Sequence, residues 1–213
     1  GPQAADLMLE IGPGLGALTK PLLQKIKQLH VVEVDRDIIA WMQAEYAKPA
    51  YLQSNISIHN ADALKFDFSS LGQGLRVTGN LPYNISTPIL FHLLANVSHI
   101  TDMHFMLQKE VVERMVAQPS TSAYGRLSVM LQYHLHMDYL ITVPPGAFEP
   151  APKVESAFVR CVPHATLPFI ANDEAVFAKV VLAAFSQRRK TLRNTLKGLL
   201  ADEGFSSLDI DSQ

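Results

Sequence analysis

The sequence predicts an α/β fold built on a doubly wound, mostly parallel β-sheet, with a small all-α piece at its C-terminal end. Short apolar runs alternate with stretches of helical periodicity from Leu7 to Ala117. A glycine-rich turn, Gly12-Pro13-Gly14-Leu15-Gly16, joins the first run to the first helical stretch. After Pro163 the strand-like runs stop and only helical periodicity remains. The 213 residues suffice for one α/β domain and an appendage, and 48% hydrophobic composition can fill a core.

Each element has its own signal. Leu7 to Ile11 is a continuous apolar run broken only by Glu10, the pattern of a buried parallel strand. Leu15 to Lys27 has helical periodicity, and Val31 to Asp35 reads as the second strand. Arg36 to Ala47 is helical, Ile56 to His59 a third strand, and Leu75 to Thr78 a fourth. Thr87 to Ala95 reads as a helix whose N-terminus Ser86 or Thr87 could cap. Met103 to Leu107 is a fifth strand and Glu110 to Ala117 a helix. Pro119 to Gly125 is rich in turn formers, and Arg126 to His134 is a short helix. Tyr139 to Val143 and Ser156 to Val162 read as strands. Their connector holds Pro144, Pro145, Pro150 and Pro152, and is expected to be stiff and non-helical. Glu174 to Phe185 and Thr191 to Leu200 complete the chain as helices.

Composition excludes several classes. No apolar run approaches the about 18 residues of a membrane span. The single cysteine, Cys161, rules out an internal disulfide and fits a reducing, cytoplasmic setting; it reads as a small apolar strand residue, not a nucleophile. The net charge of −2 means that any nucleic-acid contact comes from a local patch. Eight histidines are scattered, and no carboxylate or cysteine pattern of metal-ligand type accompanies His134 and His136, so no metal site is expected.

The glycine-rich turn carries the first chemical signal. Glycines let the backbone turn sharply and approach a ligand closely. Gly12, Gly14 and Ala17 also satisfy the dinucleotide fingerprint. Two details favour S-adenosylmethionine over a nicotinamide cofactor. The third glycine is Gly16, and Glu10 lies two residues before Gly12, where it could hold a cationic amino group directly or through water. Glu33, on the second strand, could accept hydrogen bonds from a ribose diol. Asp62 could accept from an adenine amine, and the Ala63 N–H could donate to the same ring; Asp62 would equally serve as an N-cap.

The second signal is Asn80-Leu81-Pro82-Tyr83-Asn84-Ile85-Ser86. It sets a side-chain amide, a proline-stiffened carbonyl and an aromatic ring within four residues, directly after a strand. Such a cluster can grip a flat ring that bears an amine. The Asn80 side-chain oxygen and the Leu81 carbonyl would accept the amine hydrogens, and Tyr83 would cover the ring face.

These stretches together resemble the ribosomal RNA adenine N6,N6-dimethyltransferase family, and within it the bacterial small-subunit members. Tyr124-Gly125-Arg126-Leu127-Ser128-Val129, Phe148 to Ser156 and Phe185 to Leu192 sharpen the resemblance, which covers nearly the whole chain. It implies a Rossmann-like methyltransferase domain over residues 1–164 and a helical RNA-docking domain over 165–213. It implies an enzyme that uses S-adenosylmethionine to dimethylate two adjacent adenines near the 3′ end of small-subunit ribosomal RNA during ribosome biogenesis. It also implies Phe148 as the second wall around the target base. The family carries an N-terminal segment with a Gln-x-Phe-Leu motif that this chain lacks, so the chain is expected to be a piece lacking that segment and part of its helical end.

Arg188, Arg189, Lys190, Arg193 and Lys197 cluster with no acid among them, which suits phosphate contact and salt-dependent binding; a solvated helix face is the plainer reading. The expected partner is small-subunit ribosomal RNA or its precursor particle, met by a monomer. Three rivals remain at this point. One is a large-subunit ribosomal RNA adenine methylase of the antibiotic-resistance type. Another is a non-catalytic RNA-binding assembly or transcription factor. The last is a nicotinamide-dependent oxidoreductase, which leaves the Asn80–Ser86 stretch unexplained.

Overall fold

The computed structural model describes residues 1–51, 55–187 and 189–202, the last three by backbone only. The chain runs β1 (Leu7–Ile11), α1 (Thr19–Leu23), β2 (Gln28–Glu33), α2 (Arg36–Tyr46), β3 (Asn55–Asn60), β4 (Leu75–Asn80), α3 (Ser86–Leu94), β5 (Ile100–Gln108) and α4 (Lys109–Met115). It continues with α5 (Arg126–His134), β6 (Leu135–Val143), β7 (Ser156–Pro163), α6 (Glu174–Ala184) and α7 (Leu192–Asp202). The strands form one sheet in the order β3-β2-β1-β4-β5-β7-β6. Pairing is parallel from β3 through β5. Only β7 is reversed, antiparallel to both β5 and β6. The predicted class, an α/β doubly wound sheet, is the observed one.

Strand alternation supplies a core on each side. Leu9, Ile11, Val32, Val77 and Phe105 face one way and pack with Ile89, Leu93, Val112, Leu127 and Leu131 from α3, α4 and α5. Met8, Leu29 and Val31 face the other way and meet Leu22, Leu23, Met42 and Tyr46 from α1 and α2. Cys161 is fully buried in the first layer, where burial pushes its thiol up to about 12, as expected of a packing residue. Tyr133, Phe169 and Phe177 form an aromatic cluster that seats α6 on α5, with the Tyr133 and Phe177 ring centroids 4.8 Å apart.

Four local expectations are corrected. The helix expected from Leu15 to Lys27 shrinks to Thr19–Leu23, because Gly12, Gly14 and Gly16 take left-handed backbone angles and the chain turns until residue 18. Neither Ser86 nor Thr87 caps α3. Ile85 holds the cap position, and the Ser86 hydroxyl turns back to donate to the Tyr83 carbonyl at 3.1 Å. Strand β6 starts at Leu135, four residues early, since the chain passes from α5 directly into extended backbone there. The proline connector contains one short 3-10 turn, Pro145–Ala147, which proline at its first position favours.

Candidate active site

The sheet topology fixes where a ligand can bind. From β1 the chain winds outward through β2 to β3, then returns to β4 on the other side of β1 and proceeds to β5. The C-terminal ends of β1 and β4 therefore flank a topological switch point, where the two following loops part and leave a crevice. The loop after β1 is the glycine-rich turn, and the loop after β4 is Asn80–Ser86. Two motifs far apart in sequence become neighbours for this reason.

Close backbone approach holds the two together. A side chain on Gly79 would come within 2.5 Å of the Ile11 carbonyl oxygen, so β1 and β4 meet at a distance only glycine permits. The turn itself closes over Tyr46. Gly16 has φ 79°, and a methyl group there would lie 2.4 Å from the Tyr46 hydroxyl. That hydroxyl is buried without a hydrogen-bond partner among the described residues, and burial pushes it up to about 12.

Glu10, the last acid of β1, is only 2% exposed. Its Oε2 accepts a 2.6 Å hydrogen bond from the Thr19 hydroxyl on α1. Burial raises its carboxyl to about 7, with the Thr19 bond pulling the other way. Glu33 ends β2. Its Oε1 accepts the Val34 and Asp35 N–H groups at 2.8 and 3.0 Å, which fixes the carboxylate and leaves Oε2 available to a ligand. Beside it Val34 is 66% exposed, an apolar side chain offered to solvent at the strand end. Asp62 follows β3, and its Oδ1 accepts the Leu64 N–H at 2.9 Å. It thus caps a turn over Asp62–Lys65, with Ala63 half-buried beside it. A buried carboxyl that a nearby cation would ionise, a held carboxylate, an exposed apolar side chain and a glycine turn suit a ligand with a cationic amine, a vicinal diol and a flat ring. The residues present therefore fit S-adenosylmethionine.

The second half of the site is an open cavity of about 330 Å³ lined by Asn80, Leu81, Pro82, Tyr83, Phe148, Pro150 and Pro152. Asn80 is exposed at its edge, while Leu81 is buried and its N–H donates to the Met106 carbonyl of β5 at 3.2 Å. Tyr83 and Phe148 are both half-buried, so the two aromatic walls expected from the sequence line one pocket. The proline connector delivers Phe148 from the β6–β7 side of the sheet.

The basic cluster is separate from this pocket. Arg189, Lys190, Arg193 and Lys197 are exposed on and before α7; Arg188 lies outside the described residues. No group of three or more histidine, cysteine, aspartate or glutamate side chains capable of holding a metal occurs among the described residues. Sequence reasoning missed two residues of the site. Thr19 holds Glu10, and Ser156 on β7 shares a 2.7 Å hydroxyl–hydroxyl hydrogen bond with Tyr83. Nothing in sequence spacing pairs residue 83 with residue 156; only the reversed strand β7 brings them together.

Comparison with known proteins identifies the family. The family model described as ribosomal RNA adenine dimethylase matches residues 2–210. The ribosomal RNA small subunit methyltransferase A of Methylobacillus flagellatus is 69% identical over 212 residues, which span 100% of this chain and 81% of that protein. The protein of the same name from Thiobacillus denitrificans is 60% identical over 210 residues, spanning 99% of this chain and 80% of that one. The crystal structure of a dimethyladenosine transferase from Plasmodium falciparum has a TM-score of 0.79 at 30% identity, covering 92% of this chain and 68% of that chain. On a match from residue 2 to residue 210, the chain belongs to the ribosomal RNA adenine dimethylase family.

Proposed function

We propose that this protein transfers methyl groups from S-adenosylmethionine to N6 of two adjacent adenines near the 3′ end of small-subunit ribosomal RNA, giving N6,N6-dimethyladenosine in the course of ribosome biogenesis in the cytoplasm. The observation that carries the reading is the joining of two sites. Asn80 lines the cavity with Tyr83 and Phe148, and its carbonyl oxygen lies 3.9 Å from where a side chain on Gly12 would begin, so a base and a methyl donor can be held side by side. The names of the 69% and 60% identical relatives point to the same RNA.

S-adenosylmethionine supplies a methyl group on a cationic sulfur that leaves as a neutral thioether. When it is bound, Glu10 would offer negative charge to its amino group, Glu33 would accept from its ribose diol, and Asp62 and Ala63 would hold its adenine. Gly12, Gly14 and Gly16 let the backbone come close to it. At the acceptor, the N6 lone pair of adenine is delocalised into the ring and is a poor nucleophile. The Asn80 side-chain oxygen and the Leu81 carbonyl accept the two N6 hydrogens and draw the nitrogen toward a tetrahedral shape, which localises the lone pair. Asn80 also borders the donor side. Pro82 stiffens the backbone that presents these acceptors, and Leu81 is anchored to β5 through its N–H. Tyr83 and Phe148 sandwich the base; such stacking is worth ~1–3 kcal/mol per base. Catalysis rests on position and charge placement, and the proton lost from N6 passes to water.

A purine must leave its stack to enter this pocket, so the target is single-stranded or near a helix end. Residues 1–164 form the catalytic domain, and residues 165–213 dock RNA through Arg188, Arg189, Lys190, Arg193 and Lys197, with the protein acting as a monomer. The test is methylation of unmethylated small-subunit particles with methyl-labelled S-adenosylmethionine, followed by digestion and identification of the labelled nucleoside. N6,N6-dimethyladenosine from adjacent 3′ positions supports the reading. Label on large-subunit RNA alone would move the target, and particle binding without label would make the chain an assembly factor.

A further inference from the structure

Tyr83 is held at both ends. Its carbonyl accepts the Ser86 hydroxyl at 3.1 Å, and its own hydroxyl shares a 2.7 Å hydrogen bond with Ser156. Ser156 is 1% exposed and is the first residue of β7, paired in register with Gln108 of β5 and Val143 of β6. It is also the first strand residue after the connector that carries Phe148. The preceding residue, Glu155, is fixed to the start of α4 twice: its carbonyl accepts the Lys109 N–H at 3.0 Å and its carboxylate meets the Lys109 ammonium at 2.7 Å. The end of the connector is thus pinned to the sheet, and the Ser156 hydroxyl joins that pinned point to the ring on the opposite wall. One part-buried hydrogen bond therefore links the Tyr83 ring to the end of the segment that presents Phe148.

We propose that Ser156 is a positioning residue for the base, and that its bond to Tyr83 matters most for the second of the two methyl transfers. This rests on the dimethylation reading above. In the first transfer the base is oriented by two N6–H hydrogen bonds and by stacking. Once N6 carries one methyl group, a single N–H remains, so only one of the two acceptors can hold the amine, and a bulkier nitrogen must still be aimed at the donor. Stacking then carries a larger share of the orientation. A Tyr83 ring free to tilt costs the second step more than the first.

The test is a time course of the full-length protein on unmethylated small-subunit particles, with N6-methyladenosine and N6,N6-dimethyladenosine quantified separately. Ser156→Ala and Tyr83→Phe remove the same bond from opposite sides. Each is expected to raise the monomethyl-to-dimethyl ratio at equal total methylation about fivefold or more, with the dissociation constant for S-adenosylmethionine unchanged. The double variant is expected to be no worse than either single one, as two groups in one bond require. Ser156→Cys, which is somewhat larger but keeps a weak donor, should recover part of the wild-type ratio. Tyr83→Phe keeps the inference testable should Ser156→Ala fold poorly. An unchanged ratio in both single variants, or additive losses in the double, would overturn the inference while leaving dimethylation intact. A wild-type protein that makes no dimethyladenosine would instead overturn the reading beneath it.

Discussion

Gly12 and Asn80 meet at the ends of β1 and β4: a methyl group on Gly12 would lie 3.9 Å from the Asn80 carbonyl oxygen. Gly12 opens the turn assigned to the methyl donor, and Asn80 opens the loop assigned to the base. The parallel pairing of Glu10 with Thr78 fixes both loops at one level of the sheet. The two halves of the proposed reaction are therefore set by strand register and not by flexible loops.

The glycine turn should be intolerant of side chains. Gly16→Ala is expected to lower stability by about 1–3 kcal/mol, from left-handed strain and the clash with the buried Tyr46 hydroxyl. It should weaken binding of S-adenosylmethionine as well. Thermal unfolding and calorimetric titration of one preparation measure both effects.

Glu33 is held by two backbone N–H groups before any ligand arrives, so little ordering is needed to accept a diol. Glu33→Ala is expected to weaken cofactor binding by about 10- to 100-fold, the size of a charge-assisted hydrogen bond. Turnover at saturating cofactor should change much less. Equilibrium binding and a kcat measurement separate the two.

Glu10 predicts a pH effect whose sign is fixed. Burial raises its carboxyl from 4.5 to about 7, so ionising it costs stability. That cost appears as pH rises above the unfolded value, grows toward pH 7 and is constant beyond. A cationic amino group beside it rewards the ionised form. Cofactor affinity should therefore rise as pH climbs through about 7. Glu10→Gln should flatten that rise, bind more weakly at pH 8, and unfold at a higher temperature than wild type at the same pH. Titrations and melting curves across this range check each point.

The fold was legible from the sequence because its central strands, β1 and β2 above all, are buried and read as short, mostly apolar runs between stretches of helical periodicity. The site was legible where a motif lies within one loop, as in Gly12–Gly16 and Asn80–Tyr83. It was not legible where two separate elements supply one contact. Ser156 looks like any serine at a strand start until β7 inserts between β5 and β6 and places it against Tyr83. Thr19 looked like part of a long helix. The glycines delay that helix, and only then does its first residue reach Glu10.

The exposed cations before and on α7 should act on RNA alone. Replacing Arg189 and Lys190 by alanine is expected to weaken particle binding at low salt. It should also reduce the slope of log affinity against log salt by about 0.7–0.9 for each phosphate no longer neutralised. Cofactor binding should be unchanged. Filter binding at several salt concentrations gives the slope directly.

The turnover of Asn80→Ala tests the central claim most directly. The full-length variant would be assayed on unmethylated small-subunit particles beside wild type, with cofactor and particle binding measured on the same material. Loss of one of two acceptors at N6 is expected to lower kcat by about 10²–10³-fold or more, a drop of the size seen when one preorganised hydrogen-bonding group is removed, while particle binding holds. An Asn80→Ala protein that folds, binds and turns over normally would contradict the claim that this residue activates the adenine amine.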